Sequence, residues 1–172
     1  MEWMSNHYVQ KAYTFLKKSG VTISGVWIDC GCGRGYYSRA LTLLGAALVI
    51  GIDVRMRSLN YPIVACRSDC SHLPVKNCSV SGFLYVNVLH YYKKPQPLLQ
   101  EAHRVLKKNG YIVIIEYDQS APTGWDPYPL QLTHIEALLS RVHFDVVTNV
   151  LVDKKYRPKN VVVGKKLIFN DL

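Results

Sequence analysis

The 172-residue sequence predicts an α/β fold: a seven-stranded, mostly parallel sheet with helices on both faces, closed by a C-terminal antiparallel hairpin. Three observations carry this. Short apolar runs alternate with helix-periodic segments, the order that builds a parallel sheet through right-handed crossovers. Those runs are nearly continuous rather than alternating, as in strands covered on both faces. Near the end, two strand-like runs are joined only by the short basic loop DKKYRPK, residues 153–159. A connection that short makes an antiparallel pair, because a parallel crossover takes about a dozen residues or more.

The elements follow in order. Ser5 to Lys18 places Val9, Ala12, Tyr13 and Leu16 at helical spacing and stops at Ser19-Gly20. Gly25 to Asp29 is a strand, Tyr36 to Leu44 a helix ended by Gly45, and Ala47 to Asp53 a second strand. Ile63 to Cys66, Gly82 to Val88 and Tyr111 to Glu116 are three further strands. Between the last two, Pro97 to Lys107 is a helix with Leu98, Leu99, Ala102, Val105 and Leu106 on one face, stopped by Asn109-Gly110. Thr133-His-Ile-Glu136 has the form of a capping box opening a helix through Val142. The hairpin strands run from Asp145 to Val152 and from Asn160 to Phe169. With no repeat, linker or low-complexity tract, one domain is expected over residues 1–172. It comprises a helix over 1–20, a ligand-binding half over 21–118, and a lid loop, helix and hairpin over 119–172.

Composition narrows the class. About half of the residues are hydrophobic (49%), enough for a real core. No run approaches the roughly 20 apolar residues that span a bilayer. The most apolar stretch, Leu41 to Ile50, is broken by Thr42 and Gly45. The start, MEWMSNHYVQ, lacks the basic flank and apolar stretch of a signal peptide, so a soluble, cytoplasmic chain is expected. Cys30, Cys32, Cys66, Cys70 and Cys78 show no paired CxxC spacing and are read as reduced, structural thiols, with no metal site. The net charge of +9 favours acidic partners such as RNA or anionic lipid. Basic pairs such as Lys17–Lys18, Lys107–Lys108, Lys165–Lys166 and Arg55 with Arg57 read as solvated helix ends and loops.

The main chemical signal is VWIDCGCGRGYYSRAL. A strand ends at Asp29, and Gly31, Gly33 and Gly35 follow at alternate positions before a helix. Glycines there allow a tight turn and close approach of a ligand, and the helix N-terminus offers unpaired N–H groups. The dinucleotide fingerprint G-x-G-x-x-G would put its third small residue at Tyr36, which is bulky, and no Walker lysine pattern is present. Asp53 closes the second strand about 20 residues on, where an acid accepts ribose hydroxyls. Asp69, in RSDCSHLP, follows the third strand and also suits a turn.

Together Asp29-Cys-Gly-Cys-Gly-Arg-Gly35, Asp53, Asp69-Cys-Ser-His-Leu-Pro74, Asn87-Val-Leu-His-Tyr91 and HRVLKKNGYIVIIEY resemble the class I S-adenosylmethionine-dependent methyltransferases, which have a Rossmann-like fold. The likeness is to the type 11 group, which includes quinone-biosynthesis methyltransferases. It covers Gly25 to Tyr117 by motif and the remainder by element order. It implies S-adenosyl-L-methionine as cofactor, with Asp29, Gly31, Gly33 and Gly35 around its methionine part and Asp53 on its ribose. It also implies Asp69 and Cys70 at the adenine, the Asn87 backbone at the amino group, and Arg34 near the carboxylate.

The acceptor is left open, because one fold hosts many reactions. His90, just beyond the fourth strand, is the first candidate general base, with Glu116, ending the fifth strand, and Asp118 as the alternatives. Asn87-Val-Leu-His90 lacks the Asn/Asp-Pro-Pro-aromatic signature of base amino-methylating enzymes. The loop from Asp118 to Leu130 is long enough for a lid, and its Trp125 and Tyr128 suit a planar or cationic acceptor. The DKKYRPK loop, Lys93 and Lys94 are expected at the same edge, a pattern that suits an anionic acceptor. The expected function is methyl transfer to a small molecule or lipid. The alternatives are an RNA or protein acceptor, or a cofactor-binding subunit active only with a partner.

Overall fold

The computed structural model describes residues 6–55, 59, 63–155 and 157–167. Ser5, Arg57, Tyr156 and the final two residues of the strand expected to reach Phe169 lie outside them. The elements are α1 (His7–Lys18), β1 (Val26–Cys30), α2 (Tyr36–Leu43), β2 (Leu48–Asp53), β3 (Ile63–Arg67) and β4 (Val80–Val86). After a single 3₁₀ turn at Leu89–Tyr91 come α3 (Gln96–Val105), β5 (Leu106–Tyr117), α4 (Leu132–Arg141), β6 (Phe144–Val152) and β7 (Lys159–Lys166). They form a seven-stranded sheet in the order β3-β2-β1-β4-β5-β7-β6. Strands β1 to β5 pair in parallel, and β7 runs antiparallel to both β5 and β6. The predicted α/β class, mostly parallel sheet and terminal hairpin are all present.

Side-chain alternation splits the core into two layers. On one face, Leu16 of α1 and Ala40 and Leu41 of α2 pack with Trp27, Val49, Leu84 and Val113. On the other, Leu99 and Ala102 of α3 and Leu139 of α4 pack with Ile28, Phe83, Tyr85 and Ile112. Central strands are therefore buried on both sides, which is why they read as continuous apolar runs. The outermost β6 alternates between exposed and covered positions, as an edge strand with one solvated face does.

Two stop and start signals act differently from expectation. Helix α3 ends at Val105, not at Asn109-Gly110, because Leu106 turns extended (φ −66°, ψ 136°) and begins β5. Lys166 of β7 donates to the carbonyls of His103 (2.7 Å) and Leu106 (2.8 Å), so a cation from another strand caps the helix end. Asn109, at φ +60°, sits inside β5 beside the register shift between Val80 and Gly82. The Thr133–Glu136 pair is no capping box: α4 starts at Leu132 after Gln131, with no side-chain cap. Glu136 instead accepts the Asn149 amide N–H of β6 at 2.9 Å, a tertiary partner that local pattern cannot reveal.

Candidate functional site

The strand order reverses between β1 and β4, and the crevice outside their carboxyl ends is where open α/β sheets bind ligands. Gly31, Gly33 and Gly35 have φ of +78°, +51° and +72°, so the alternate glycines mark alternate left-handed residues. At Gly31 a side chain would also strike Val88, because the β1 and β4 loops touch across the switch point. The turn is pinned below by Gly31 and Cys32 N–H groups donating to the Ile52 carbonyl, at 2.7 and 3.0 Å.

Asp29 lies behind this turn rather than in the crevice. It is buried and accepts the Ser38 hydroxyl of α2 at 2.6 Å, clamping the helix to β1. Burial pushes its carboxyl up to about 6, against the Ser38 hydrogen bonds, with the Asp53 charge adding to the rise. Asp53 faces the crevice. Its oxygens take backbone N–H groups from Gly33 (3.0 Å) and Arg55 (2.8 Å), one each, leaving lone pairs on both for further donors. The crevice, about 290 Å³, runs from Asp53 and Gly31 past Cys70 to Asn87 and Val88, with Tyr91 and Tyr92 as an aromatic wall. A carboxylate with two free acceptor sites, a glycine floor and flat apolar walls fit a nucleoside cofactor.

Asp69 is exposed and accepts both the backbone N–H (2.7 Å) and hydroxyl (2.6 Å) of Ser71. These bonds hold its pKa below the usual carboxylate value and make it the former of the turn that carries Cys70. The expectation of reduced thiols fails at two positions, since Cys30 and Cys70 form a disulfide across 40 residues. The pair joins the end of β1 to the β3–β4 loop, a contact that no sequence spacing announces. Cys32, Cys66 and Cys78 are free, and no metal-holding cluster occurs among the described residues. Arg34 is exposed on the turn.

Beyond β4 the chain is held by Glu116. One oxygen accepts the Val88 and Leu89 N–H groups, both at 2.8 Å, and the other meets His90 Nδ1 at 2.7 Å. The sequence marked Glu116 as an alternative base; the structure makes it the anchor of the loop and the partner of His90. Burial lowers the His90 pKa, but the Glu116 hydrogen bond and charge outweigh it and leave the imidazole above its ordinary value. Asn87, at φ +53°, donates its N–H to the Ile115 carbonyl (2.9 Å) and accepts the Lys159 ammonium on Oδ1 (3.0 Å).

Asn87 also borders two more cavities. One, about 250 Å³, lies among His90, Tyr91, Tyr117, Trp125 and Arg157. The other, about 380 Å³, is roofed by Tyr8 and Lys11 of α1 and floored by Tyr117 and Lys159. Arg157 reaches both, so the basic loop does face this edge. Lys93 and Lys94 do not: they line a separate cleft with His134 and Arg141, because the 3₁₀ turn carries the chain over to α3 and α4. The lid loop is tied down. Tyr128 N–H donates to the His90 carbonyl (3.0 Å), Gln119 bonds Asp126 (2.7 Å), and Asp118 accepts from Asn160 (2.9 Å), which occupies it away from base duty. Trp125 borders the His90 cavity while 80% exposed. Sequence reasoning placed Lys159 at this edge only as the last residue of the basic loop and missed that it opens β7 and is buried, for which the signal was a lysine leading straight into the run Asn160-Val-Val-Val.

Comparison with known proteins agrees with this geometry. Residues 28–114 match the type 11 methyltransferase-domain family. A demethylmenaquinone methyltransferase of Tropheryma whipplei is 30% identical over 134 residues, 73% of this chain and 56% of that protein. An uncharacterised 37.1 kDa protein of a Streptomyces fradiae transposon is 30% identical over 151 residues, 81% of this chain and 40% of that one. The chain thus spans about half the length of the curated relatives it matches. In fold it resembles the Burkholderia thailandensis 1,6-didemethyltoxoflavin-N1-methyltransferase solved with S-adenosylhomocysteine. The TM-score is 0.77 at 19% identity, covering 96% of this chain and 81% of that one. It also resembles the protein held by the Haloferax volcanii Trm112 methyltransferase activator, with TM-score 0.78 at 17% identity over 96% and 92% of the two chains. With the family match over residues 28–114 and the sheet in place, the chain belongs to the type 11 group of class I methyltransferases and takes S-adenosylmethionine as cofactor.

Proposed function

We propose that the chain transfers a methyl group to a small-molecule or lipid acceptor that enters beside Asn87. The observation that carries this is the junction at Asn87, where the nucleoside-shaped crevice meets two further cavities of small-molecule size. Bound S-adenosylmethionine supplies an electrophilic methyl group. The residues supply position and shelter. Asp53 takes the ribose hydroxyls, Gly31, Gly33 and Gly35 make room for the methionine part, and Asp29 holds that turn from behind through Ser38. The Asp69 turn presents Cys70 to the adenine, and the Asn87 backbone faces the amino group. His90, oriented by Glu116, takes the acceptor proton at pH values above its raised pKa. The Tropheryma whipplei relative makes a quinol-type ring a natural first acceptor to try.

Calorimetric titration with S-adenosylmethionine and S-adenosylhomocysteine, with NADH as control, tests the cofactor assignment. A screen of aromatic and lipid acceptors follows. Binding of NADH alone would overturn it.

Two other readings each rest on one observation. The cationic cleft of Lys93, Lys94, His134 and Arg141 suits RNA, and a salt-dependent gel shift decides that. The edge strand β3 pairs with β2 alone among the described residues and exposes Val64, which suits a partner subunit. Turnover by the isolated chain removes that reading.

A further inference from the structure

The cavity beneath α1 holds an imbalance of charge that the cofactor crevice does not use. Lys11, Arg157 and Lys159 line it, against one carboxylate, Asp153. Lys11 already pairs with Asp153 at 2.6 Å. Lys159 is only 8% exposed, yet no carboxylate among the described residues lies within 4.0 Å of its ammonium. Its direct contacts are neutral, Asn87 Oδ1 at 3.0 Å and the Tyr117 ring at 4.3 Å, while the Glu116 and Asp153 carboxylates act on it only from beyond ion-pair distance and Lys11 and Arg157 repel it. Arg157 stands over the same ring at 4.8 Å. A buried cation without a counter-ion in contact is costly, and functional sites are where such groups cluster.

The fold holds the ammonium there firmly. Lys159 is the register partner of Tyr117 on β5 and of Val152 on β6, at the end of a strand paired on both sides. An ammonium carries three N–H donors, and Asn87 takes one. The walls are flat: Tyr8 and Tyr36 stack at 5.0 Å and 18°, and Tyr37 and Tyr117 face the same space. At about 380 Å³ the space suits a molecule of one or two rings rather than a polymer.

We propose that this cavity receives the methyl acceptor as a planar aromatic anion, with the Lys159 ammonium as the residue that selects its ionised oxygen. The inference rests on the methyltransferase reading above and adds the class of acceptor and the side chain that recognises it; for an acceptor that arrives ionised it replaces proton removal by His90, which borders the neighbouring cavity. Arg157 contributes charge from the rim. A phenolate and an aromatic carboxylate share this chemistry, and the experiment separates them.

The test uses the full chain saturated with S-adenosylhomocysteine, whose binding is measured first by calorimetry. It is then titrated with para-nitrophenol, whose ionised form is yellow, with benzoate, and with neutral nitrobenzene. The wild type should bind an anion in preference to nitrobenzene, and bound para-nitrophenol should ionise at lower pH than free. Lys159→Met should weaken anion binding about tenfold to a hundredfold, the worth of a charge-assisted hydrogen bond. Nitrobenzene binding should hold, and Lys159→Arg should recover most of the loss. Arg157→Gln, on the rim, should give a smaller loss of the same sign even if Lys159→Met folds poorly. Preference for para-nitrophenol assigns a phenolate and preference for benzoate a carboxylate; either supports the proposal. Nitrobenzene binding as tightly as the anions, or Lys159→Met leaving anion affinity unchanged, overturns it while the cofactor reading stands. Failure of the wild type to bind S-adenosylhomocysteine overturns the reading beneath both.

Discussion

Lys159→Met should make the protein more stable at neutral pH, because the buried ammonium is a cost the fold carries. Burial brings the Lys159 pKa from 10.5 down to about 8. Glu116 and Asp153 oppose that fall, and Lys11 and Arg157 add to it. Below about pH 8 the lysine is protonated in both the folded and the unfolded chain, and the full cost is present. Between about 8 and 10.5 the unfolded chain keeps its proton while the folded one has lost it, so stability rises with pH across that window. Above 10.5 the cost is gone. The gap, at about 1.4 kcal/mol per pH unit, amounts to about 3 kcal/mol. Methionine fills a similar volume without charge, so at pH 7 the variant should exceed the wild type by about 2–3 kcal/mol. The advantage should shrink as pH climbs through that window. Urea unfolding of both proteins at pH 7 and pH 10 measures this as the difference between them, so other groups that titrate there cancel. Equal stability at pH 7, or a difference that does not change with pH, would refute the claim that Lys159 is held as a costly cation.

Other expectations concern the crevice and its supports. Asp53→Ala should weaken S-adenosylhomocysteine about tenfold to a hundredfold by calorimetry, and unchanged affinity would contradict the ribose assignment. Glu116→Ala orphans the Val88 and Leu89 N–H groups and the His90 imidazole together, and should cost about 3 kcal/mol or more in urea unfolding. Glu116→Gln should lower the His90 pKa seen by NMR. Because the folded pKa is raised, that pair stabilises most below the unfolded His value and fades as pH rises through the folded one, so the variant should lose most on the acid side. Reducing the Cys30–Cys70 bond should cost up to about 4 kcal/mol by the chain-entropy relation for a loop of 40 residues. Alkylation and mass spectrometry should label Cys78 but neither Cys30 nor Cys70 before reduction, and labelling of Cys30 would deny the bond.

Local pattern sufficed for the sheet. Continuous apolar runs, glycines at alternate positions and a seven-residue basic loop each constrain the backbone within a few residues of themselves. So the succession of elements, the tight glycine turn at Gly31 to Gly35 and the terminal hairpin were legible, and with them the place of Asp53 at a strand end, because a strand end has a defined place at the edge of a parallel sheet. Where a residue's partner lies far along the chain, the sequence was silent or misleading. Asn109-Gly110 has the form of a helix stop but kinks a strand, since Lys166, 60 residues away, caps the helix earlier. Thr133 and Glu136 have the spacing of a capping box, yet Glu136 turns to Asn149. Asp29 was expected at the ligand and is committed to Ser38, while Glu116, offered as a base, holds the loop before His90. The sequence by itself determined the fold, because that follows from backbone geometry and short-range spacing, and the resemblance of its motifs to the type 11 group implied the cofactor class and the family. Only the tertiary structure decided that Cys30 meets Cys70 and that Lys159 stands buried beside Asn87 with no carboxylate of the described residues in contact. Such facts depend on which strands become neighbours, and burial and pairing are properties of that assembly rather than of any stretch of chain.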